Sequence, residues 1–303
     1  MPKSVLILGA SGNFGAAAAK AFTKAGWQVS RYQRGTDMAA AARGKDLIVN
    51  GLNPPMYHDW ATLVPRITAE VIGAAKASGA RVLVAGNVYV FGTEPGPWGV
   101  NTPHRPVATK GRIRAAMEAS YRAAAAEGVR TIVLRGGDFM QEDNPATIFS
   151  MVVLKQVAKG RIASLGLPDV ARAYAYLPDI ARAAVALAEC DDLPDYADIG
   201  FPGHSFSITE LATLVAATLN RPMKLTGFPW WLMRLASPVW ELGRELTEMR
   251  YLYNHPHRID GSDFARLIPD FQSTPLAEVV ARHLKELTRQ PAARAGRLQS
   301  DSD

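Results

Sequence analysis

Three glycines near the start of the chain are spaced so that they could bind a phosphate group. The segment Gly9-Ala-Ser-Gly12-Asn-Phe-Gly15 follows the apolar run Val5–Leu8 and opens an alanine-rich stretch. Glycines in a strand-to-helix turn allow a tight bend and a close approach of the backbone to a pyrophosphate. Free N–H groups at the start of the helix then face the phosphates. The segment predicts a dinucleotide site formed by Gly9, Ser11, Gly12, Asn13, Phe14 and Gly15.

Polar residues after the next two apolar runs would complete this cofactor site. The stretch Val29-Ser-Arg31-Tyr-Gln-Arg34 has no acidic residue to bind a ribose 2′-hydroxyl. Arg31 and Arg34 could instead bind a 2′-phosphate, although both could equally be solvated surface groups. We therefore predict NADP as the cofactor, with NAD as the alternative. Asn50 and Asn53 are candidates for ribose or amide contacts, and an Asn/Pro turn is the equal alternative.

Strands and helices alternate through the first part of the chain, which is where these residues must be positioned. Strands are predicted at Val5–Leu8, Gln28–Tyr32, Asp46–Asn50, Arg81–Ala85 and Arg130–Arg135, and helices at Phe14–Ala25, Thr62–Ser78 and Lys110–Glu127. Further helices are predicted at Pro145–Lys159, Pro178–Glu189 and Ser207–Leu219. This alternation predicts an α/β fold with a doubly wound parallel sheet.

Composition excludes several classes of protein. The chain has 303 residues and a net charge of +6. Its single cysteine excludes a disulfide scaffold. The basic residues form no cluster with interleaved aromatic residues, so we expect no nucleic-acid partner. No apolar stretch approaches the roughly 20 residues of a membrane span. Because the six histidines are scattered, we expect no metal site. Because the first residues do not form a signal peptide and no stretch could span a membrane, we expect a cytoplasmic location and no membrane partner.

Three later motifs carry a resemblance to a known family. Val90-Phe91-Gly92 is similar to a Val-Tyr-Gly motif, and Arg172-Ala-Tyr-Ala-Tyr-Leu-Pro-Asp-Ile-Ala is similar to an Arg-Asp-Tyr-x-His-Val-x-Asp-x-Ala segment. Phe201-Pro-Gly-His-Ser-Phe-Ser-Ile-Thr-Glu-Leu is similar to a strand-to-helix step. Together with the glycine loop, these motifs resemble the extended short-chain dehydrogenase/reductase family, which includes nucleotide-sugar epimerases and dehydratases.

The resemblance implies a Rossmann domain and a smaller, mostly C-terminal α+β substrate domain. Residues 1–140 and 172–200 would form the first, residues 141–171 and 201–287 the second, and residues 288–303 a flexible tail. It also implies an NAD(P)-dependent epimerase, dehydratase or reductase that acts on a small, nucleotide-sugar-like molecule by hydride transfer. A homodimer is expected. The alternative is a non-catalytic NADP-binding sensor.

The chain departs from the family at the catalytic centre. Asn87 stands where the family has Ser or Thr, and Lys110 and Arg114 stand where the family has the Tyr and Lys of Tyr-x-x-x-Lys. Three interpretations follow. Lys110 could be the acid/base, Tyr89 could supply the proton, or the site could bind a cofactor without turnover.

Substrate contacts are expected after the fifth strand and in the Arg172 segment. The resemblance implies that Arg172 holds the diphosphate of the substrate, for which a planar guanidinium is well suited. Asp138 ends the Arg135-Gly-Gly-Asp138 segment, where it could be a base or bind a substrate hydroxyl, with a loop-structuring role as the alternative. Tyr176 completes the predicted substrate residues.

Overall fold

The computed structural model describes residues 2–142, 147–236 and 240–287. Its strands are β1 (Ser4–Leu8), β2 (Gln28–Arg31), β3 (Leu47–Asn50), β4 (Arg81–Gly86), β5 (Thr131–Arg135), β6 (Asp138–Met140), β7 (Arg161–Ser164), β8 (Arg172–Tyr176), β9 (Tyr196–Gly200), β10 (His204–Phe206) and β11 (Lys224–Gly227). Its helices are α1 (Asn13–Lys24), α2 (Met38–Ala42), α3 (Trp60–Ser78), α4 (Thr109–Ala124), α5 (Leu177–Ala188), α6 (Ile208–Leu219), α7 (Trp230–Ala236), α8 (Glu241–Glu248), α9 (Ser262–Leu267) and α10 over 276–287.

A six-stranded parallel sheet forms the centre of the molecule, in the order β2-β1-β3-β4-β5-β9. Val5 of β1 lies opposite Val29 of β2 on one side and Leu47 of β3 on the other. β1, β3 and β5 are buried along their whole length. Such continuous apolar runs are typical of strands covered on both faces. The predicted doubly wound α/β fold is confirmed.

Alternate residues of these strands pack into two different cores. Ile7 and Val49 pack with α1 and α5, whereas Leu6 and Ile48 pack with α3 and α4. The alternation follows from the two-residue period of a strand, which directs successive side chains to opposite faces. The sheet is therefore a middle layer between two layers of helices.

A third core lies beyond the central sheet, in the C-terminal part of the chain. Its members include Phe149, Tyr174, Phe206, Leu211 and Trp230. Two small sheets border this core. One has the order β10-β8-β6 and the other pairs β11 with β7. The strands of these two small sheets were not predicted individually. The predicted division of the chain into two domains stays a prediction.

Most of the predicted elements lie within a few residues of the observed ones, and one is wrong. The predicted helix Pro145–Lys159 is, in its described part, a π-helical turn at Phe149–Val153 and a 3₁₀ turn at Val157–Lys159. Valine and isoleucine dominate the middle of this segment, and their branched side chains restrict helical rotamers. The predicted tail over 288–303 lies outside the described residues.

No helix within the described part of the chain is both long enough and apolar enough to cross a lipid bilayer.

Candidate active site

The glycine loop joins β1 to α1 by a very close packing of backbone on backbone. Gly9 has a φ of +71°, and a Cβ at Gly15 would lie only 2.2 Å from the Gly9 carbonyl oxygen. Both positions therefore require glycine. A Cβ at Gly12 would meet nothing closer than that same oxygen, at 3.4 Å. Gly12 thus borders open space at the start of α1, where no side chain caps the helix.

The glycine loop, with the uncapped start of α1 beside it, fits the phosphates of a dinucleotide. The first N–H groups of a helix have no partner within the helix, and they carry partial positive charge. Ser11 and Gly12 are exposed and Asn13 is half-buried. Phe14 is buried, and its ring stacks on Phe139 at a centroid distance of 6.3 Å. The loop can therefore present its backbone and Ser11 to a ligand, whereas Phe14 fixes α1 in the core.

Two exposed arginines, Arg31 and Arg34, lie at the carboxyl end of β2. Arg31 and Arg34 are exposed, and within residues 2–142, 147–236 and 240–287 neither guanidinium makes a hydrogen bond or an ion pair. The next acidic residue, Asp37, accepts hydrogen bonds from the N–H groups of Ala39 and Ala40 and so caps α2. This carboxylate is engaged in capping, and the two arginines are available to an anion.

The loop after β3 holds one predicted residue in the interior and one in a surface contact. Asn50 is buried, donates to the Tyr121 hydroxyl at 3.1 Å and accepts from the Leu52 N–H at 3.1 Å. These contacts match the turn interpretation of Asn50. Asn53 is exposed, and its Oδ1 accepts from Arg114 Nη2 at 2.8 Å.

Lys110 and Arg114, at the start of α4, are held by other parts of the chain. Lys110 is 5% exposed, and its Nζ forms ion pairs with Glu245 and with Glu248, the latter at 2.6 Å. The Arg114 guanidinium lies 4.9 Å from the centre of the Trp60 ring. Glu245 and Glu248 belong to α8, so a helix 130 or more residues away in sequence supplies the counter-charge of Lys110. Sequence reasoning missed these acids because their distance from Lys110 along the chain conceals the contact.

Asn87 and Tyr89 follow β4. Asn87 Oδ1 accepts from the Tyr89 N–H at 3.0 Å, and the Asn87 carbonyl accepts from Arg135 at 2.5 Å. The Tyr89 hydroxyl lies 3.0 Å from the Tyr57 hydroxyl. Tyr57 is a residue that sequence reasoning missed. The signal available was a tyrosine in the short polar loop after the third strand.

Arg172 and Asp138 form one charged pair in the predicted substrate region. Arg172 Nη1 donates to Asp138 Oδ2 at 3.1 Å, and Nη2 donates to the Tyr174 hydroxyl at 2.5 Å. Arg172 is buried, whereas about a third of the Asp138 side chain is exposed. Burial raises the pKa of Asp138, and the charge of Arg172 opposes this rise. The partly exposed carboxylate is thus the part of this pair that a substrate can reach.

Tyr176 lies apart from this pair and is fully buried. Its hydroxyl donates to Glu142 Oε1 at 2.6 Å and accepts from Arg282 at 3.2 Å. The structure therefore places Tyr176 at the third core, where its hydroxyl makes a polar contact. It does not bring Tyr176 into contact with Arg172 or Asp138.

A buried ion network below the loop after β4 was also missed by sequence reasoning. Arg135 donates to Glu118 at 2.8 and 3.1 Å and to Asp198 at 2.6 and 3.2 Å. His104 lies 3.8 Å from Glu118, and burial lowers the pKa of His104. These acids and His104 could be mistaken for metal ligands, but both carboxylates already pair with the guanidinium of Arg135. The network ties α4 and β9 to the end of β5.

Most of the predicted residues collect at one edge of the sheet. The glycine loop follows β1, Arg31 ends β2, Tyr89 follows β4 and Asp138 follows β5. In open parallel sheets, ligands bind outside the carboxyl ends of the strands. The fold and this edge together define the class: a doubly wound α/β protein with a glycine-rich strand-to-helix loop and polar residues at the carboxyl ends of its parallel strands.

Solved structures share this fold. No protein-family model matches the sequence, and no curated protein matches it either. MoeE5, solved with UDP-glucose and NAD, is 16% identical with a TM-score of 0.74, over 95% of this chain and 99% of that chain. UDP-glucuronic acid 4-epimerase from Bacillus cereus, solved with UDP-glucuronic acid and NAD, is 13% identical with a TM-score of 0.76, over 95% and 99%. WbmH from Bordetella bronchiseptica, solved with NAD+, is 16% identical with a TM-score of 0.69, over 95% and 99%. The Rossmann fold implied by the resemblance is confirmed.

Proposed function

We propose that the protein is an NADP-dependent oxidoreductase of the epimerase, dehydratase or reductase type, acting on a small nucleotide-sugar-like substrate. The glycine loop is the observation that carries this proposal. Its backbone packing is so close at Gly9 and Gly15 that only glycine fits, while the space beside Gly12 is left open. An uncapped helix start beside open space is suited to a pyrophosphate.

The chain's own residues divide the work of holding the cofactor. The N–H groups at the start of α1 would bind the pyrophosphate, and Arg31 and Arg34 would bind a 2′-phosphate through charge-assisted hydrogen bonds. The solved neighbours bind NAD, so the preference for NADP rests on these two arginines alone. When bound, the nicotinamide supplies or accepts a hydride.

The substrate would lie in the cleft at the ends of β4 and β5. Asp138 offers a partly exposed carboxylate that can accept hydrogen bonds from substrate hydroxyl groups. Several solved neighbours were crystallised with UDP-sugars, which supports a sugar-nucleotide substrate here. The Asp138 carboxylate and its partner Arg172 are the polar groups that we propose would contact the sugar or the phosphates of such a substrate.

A non-catalytic NADP sensor is the second candidate, and one observation favours it. Lys110 Nζ is paired with Glu245 and Glu248 of α8, so its contacts are made within the chain. The sequence also lacks Tyr-x-x-x-Lys. A sensor would bind the cofactor and respond to it without chemistry.

Cofactor titration followed by nicotinamide fluorescence tests the proposal. We expect NADPH to bind at least about tenfold more tightly than NADH, because two charged contacts are available only to the 2′-phosphate. The double variant Arg31→Ala/Arg34→Ala should remove this preference and leave NADH affinity within about threefold. Arg161→Ala, an exposed arginine on β7, is the control and should change neither affinity.

Two results would count against the proposal. Equal affinity for both cofactors in the wild-type protein would contradict the NADP assignment. Turnover assays with UDP-glucose, UDP-glucuronic acid and 4-nitrobenzaldehyde separate the two candidates. Cofactor binding with no turnover on any of these probes would favour the sensor.

A further inference from the structure

Two tyrosine hydroxyl groups meet at the edge of the sheet where the substrate would bind. Tyr57, from the loop after β3, and Tyr89, from the loop after β4, have hydroxyl oxygens 3.0 Å apart. Both side chains are partly exposed. β3 and β4 are neighbours in the sheet, so their carboxyl ends bring the two loops together. The pair therefore lies at the carboxyl edge of the sheet, the edge that also carries the glycine loop after β1.

The backbone that carries Tyr57 is strained. Met56, Tyr57 and Asp59 have φ values of +53°, +62° and +44°, in the left-handed region that non-glycine residues rarely adopt. Each such residue is energetically unfavourable and persists only when its surroundings enforce it. The Trp60 ring, 5.0 Å from the Tyr57 ring, and the Tyr89 hydroxyl are two of the contacts that hold Tyr57 in this conformation. Strain of this kind is concentrated at functional sites.

Cations surround the Tyr57 ring. Lys110 Nζ lies 5.9 Å from the ring centre, and the positive charge of Arg114 also acts on the phenol. The Asp138 carboxylate and the Tyr253 phenol face the pair from β6 and from the 3₁₀ turn after α8. Positive charge near a phenol stabilises the phenolate that remains after a proton leaves.

The two phenols are not equivalent. Burial raises the pKa of both, and it raises that of Tyr89 well above its ordinary value. For Tyr57 the hydrogen bond from Tyr89 opposes the rise, and so does the charge of Arg114. When Tyr89 donates to the Tyr57 oxygen, the Tyr57 hydrogen is free to point at a ligand. Tyr57 is therefore the better acid of the pair.

We propose that Tyr57 is the proton donor to a carbonyl-bearing substrate, and that Tyr89 is the residue that positions it. The proposal rests on the proposed function, in which a bound, reduced nicotinamide would supply a hydride to the carbonyl carbon. The Tyr57 O–H bond breaks, and its proton forms an O–H bond with the substrate oxygen, whose former C=O electron pair receives it. The phenolate left on Tyr57 accepts the hydrogen bond from Tyr89 and then takes a proton from solvent. Reversal of the same step makes the phenolate the base for an alcohol substrate.

The test compares Tyr57→Phe, Tyr89→Phe and the control Tyr196→Phe in the full chain. Tyr196 begins β9 at the opposite end of the sheet, where its ring stacks on Arg122. The probes are NADPH with 4-nitrobenzaldehyde, and the oxidised cofactor with UDP-glucose or UDP-glucuronic acid. The readouts are turnover, NADPH affinity, and phenol titration by NMR of ring-labelled tyrosine.

Tyr57→Phe should lower turnover by about 100-fold or more, as expected for loss of a general acid, with NADPH affinity within about threefold. Tyr89→Phe should lower turnover less, by about tenfold, and should raise the pKa of the remaining Tyr57 phenol because a hydrogen-bond donor is lost. Tyr196→Phe should match the wild type in all three readouts.

Wild-type turnover that survives Tyr57→Phe within threefold would overturn this proposal and leave the proposed function intact. An unchanged Tyr57 titration in Tyr89→Phe would overturn the positioning role of Tyr89. Absence of cofactor binding or of turnover in the wild-type protein would overturn the proposed function, and the proton donor with it.

Discussion

The Arg172 guanidinium is engaged by its own chain on several sides. It donates to Asp138 and to the Tyr174 hydroxyl, and the Tyr253 ring lies 4.7 Å from it. A diphosphate that binds Arg172 would therefore have to compete with the Asp138 carboxylate. A buried charge that loses its partner is much more costly than an exposed one. At the residue scale, the pair acts as a unit, with Arg172 holding Asp138 at the cleft.

This coupling predicts an unequal effect of removing two otherwise similar arginines. Arg172→Ala should lower the free energy of unfolding by about 2 kcal/mol, because Asp138 loses a charged partner. Arg266→Ala breaks an Arg–Asp pair of similar length at the surface and should cost less than about 1 kcal/mol. Urea unfolding at neutral pH measures both values. Equal costs for the two variants would show that Arg172 does not hold Asp138.

The α8 helix connects two parts of the candidate site. Glu245 and Glu248 pair with Lys110 at the start of α4, and Glu248 also accepts from the Thr109 N–H. Glu241 contacts His58 at 3.0 Å, in the strained loop that carries Tyr57. At the element scale, α8 therefore fixes the Tyr57 loop and α4 relative to one another.

Removal of Lys110 should loosen α8. Lys110→Met leaves two carboxylates without their cation, so hydrogen exchange of the amides over 241–248 should become at least about tenfold faster. Lys76→Met is the matched control, since Lys76 pairs with Glu127 in an exposed contact between other elements. Its amides over 241–248 should exchange at the wild-type rate. Unchanged exchange in Lys110→Met would mean that other contacts hold α8.

Local pattern predicted five of the six central strands, because β1, β3, β4 and β5 are apolar runs bounded by glycine or polar residues, but β9 was not predicted. The helix predicted at Ser207–Leu219 also agrees with α6, whose start at a capping box lies within one residue of the predicted start. β6, β8 and β10 are only three to five residues long, and their partners lie far away in sequence. Short runs of this kind carry little periodicity, so they were not predicted individually.

The candidate site was predicted only where one segment contains the whole signal. The glycine loop is such a segment, since strand, turn and helix follow one another directly. Tyr57 with Tyr89, and Lys110 with Glu248, are contacts between residues 32 and 138 positions apart. No local spacing encodes such contacts, because the order of strands in the sheet creates them. The roles of Lys110 and Arg114 in catalysis stay predictions.

At the scale of the whole molecule, one sheet brings most of the residues predicted to bind cofactor or substrate to a single edge. A groove of about 390 Å³ lies elsewhere, between α3 and α4, and is lined by residues such as Ile72, Ile113 and Met117.

The predicted homodimer stays a prediction. The loops after β1, β2, β3, β4 and β5 all lie at this edge of the central sheet, where open parallel sheets bind their ligands.

NADPH binding to the Gly12→Val variant tests the central claim most directly. The added side chain would begin in the open space beside Gly12, with its Cβ 3.4 Å from the nearest atom, so the fold should survive while the cradle is filled. Gly73→Val, in the open part of α3, is the control. We predict that NADPH raises the Tm of the wild type and of Gly73→Val, and that Gly12→Val unfolds at a similar Tm without ligand but is not stabilised by NADPH. An equal NADPH-induced shift in Gly12→Val, or no shift in the wild type, would contradict the assignment of this loop as a dinucleotide site.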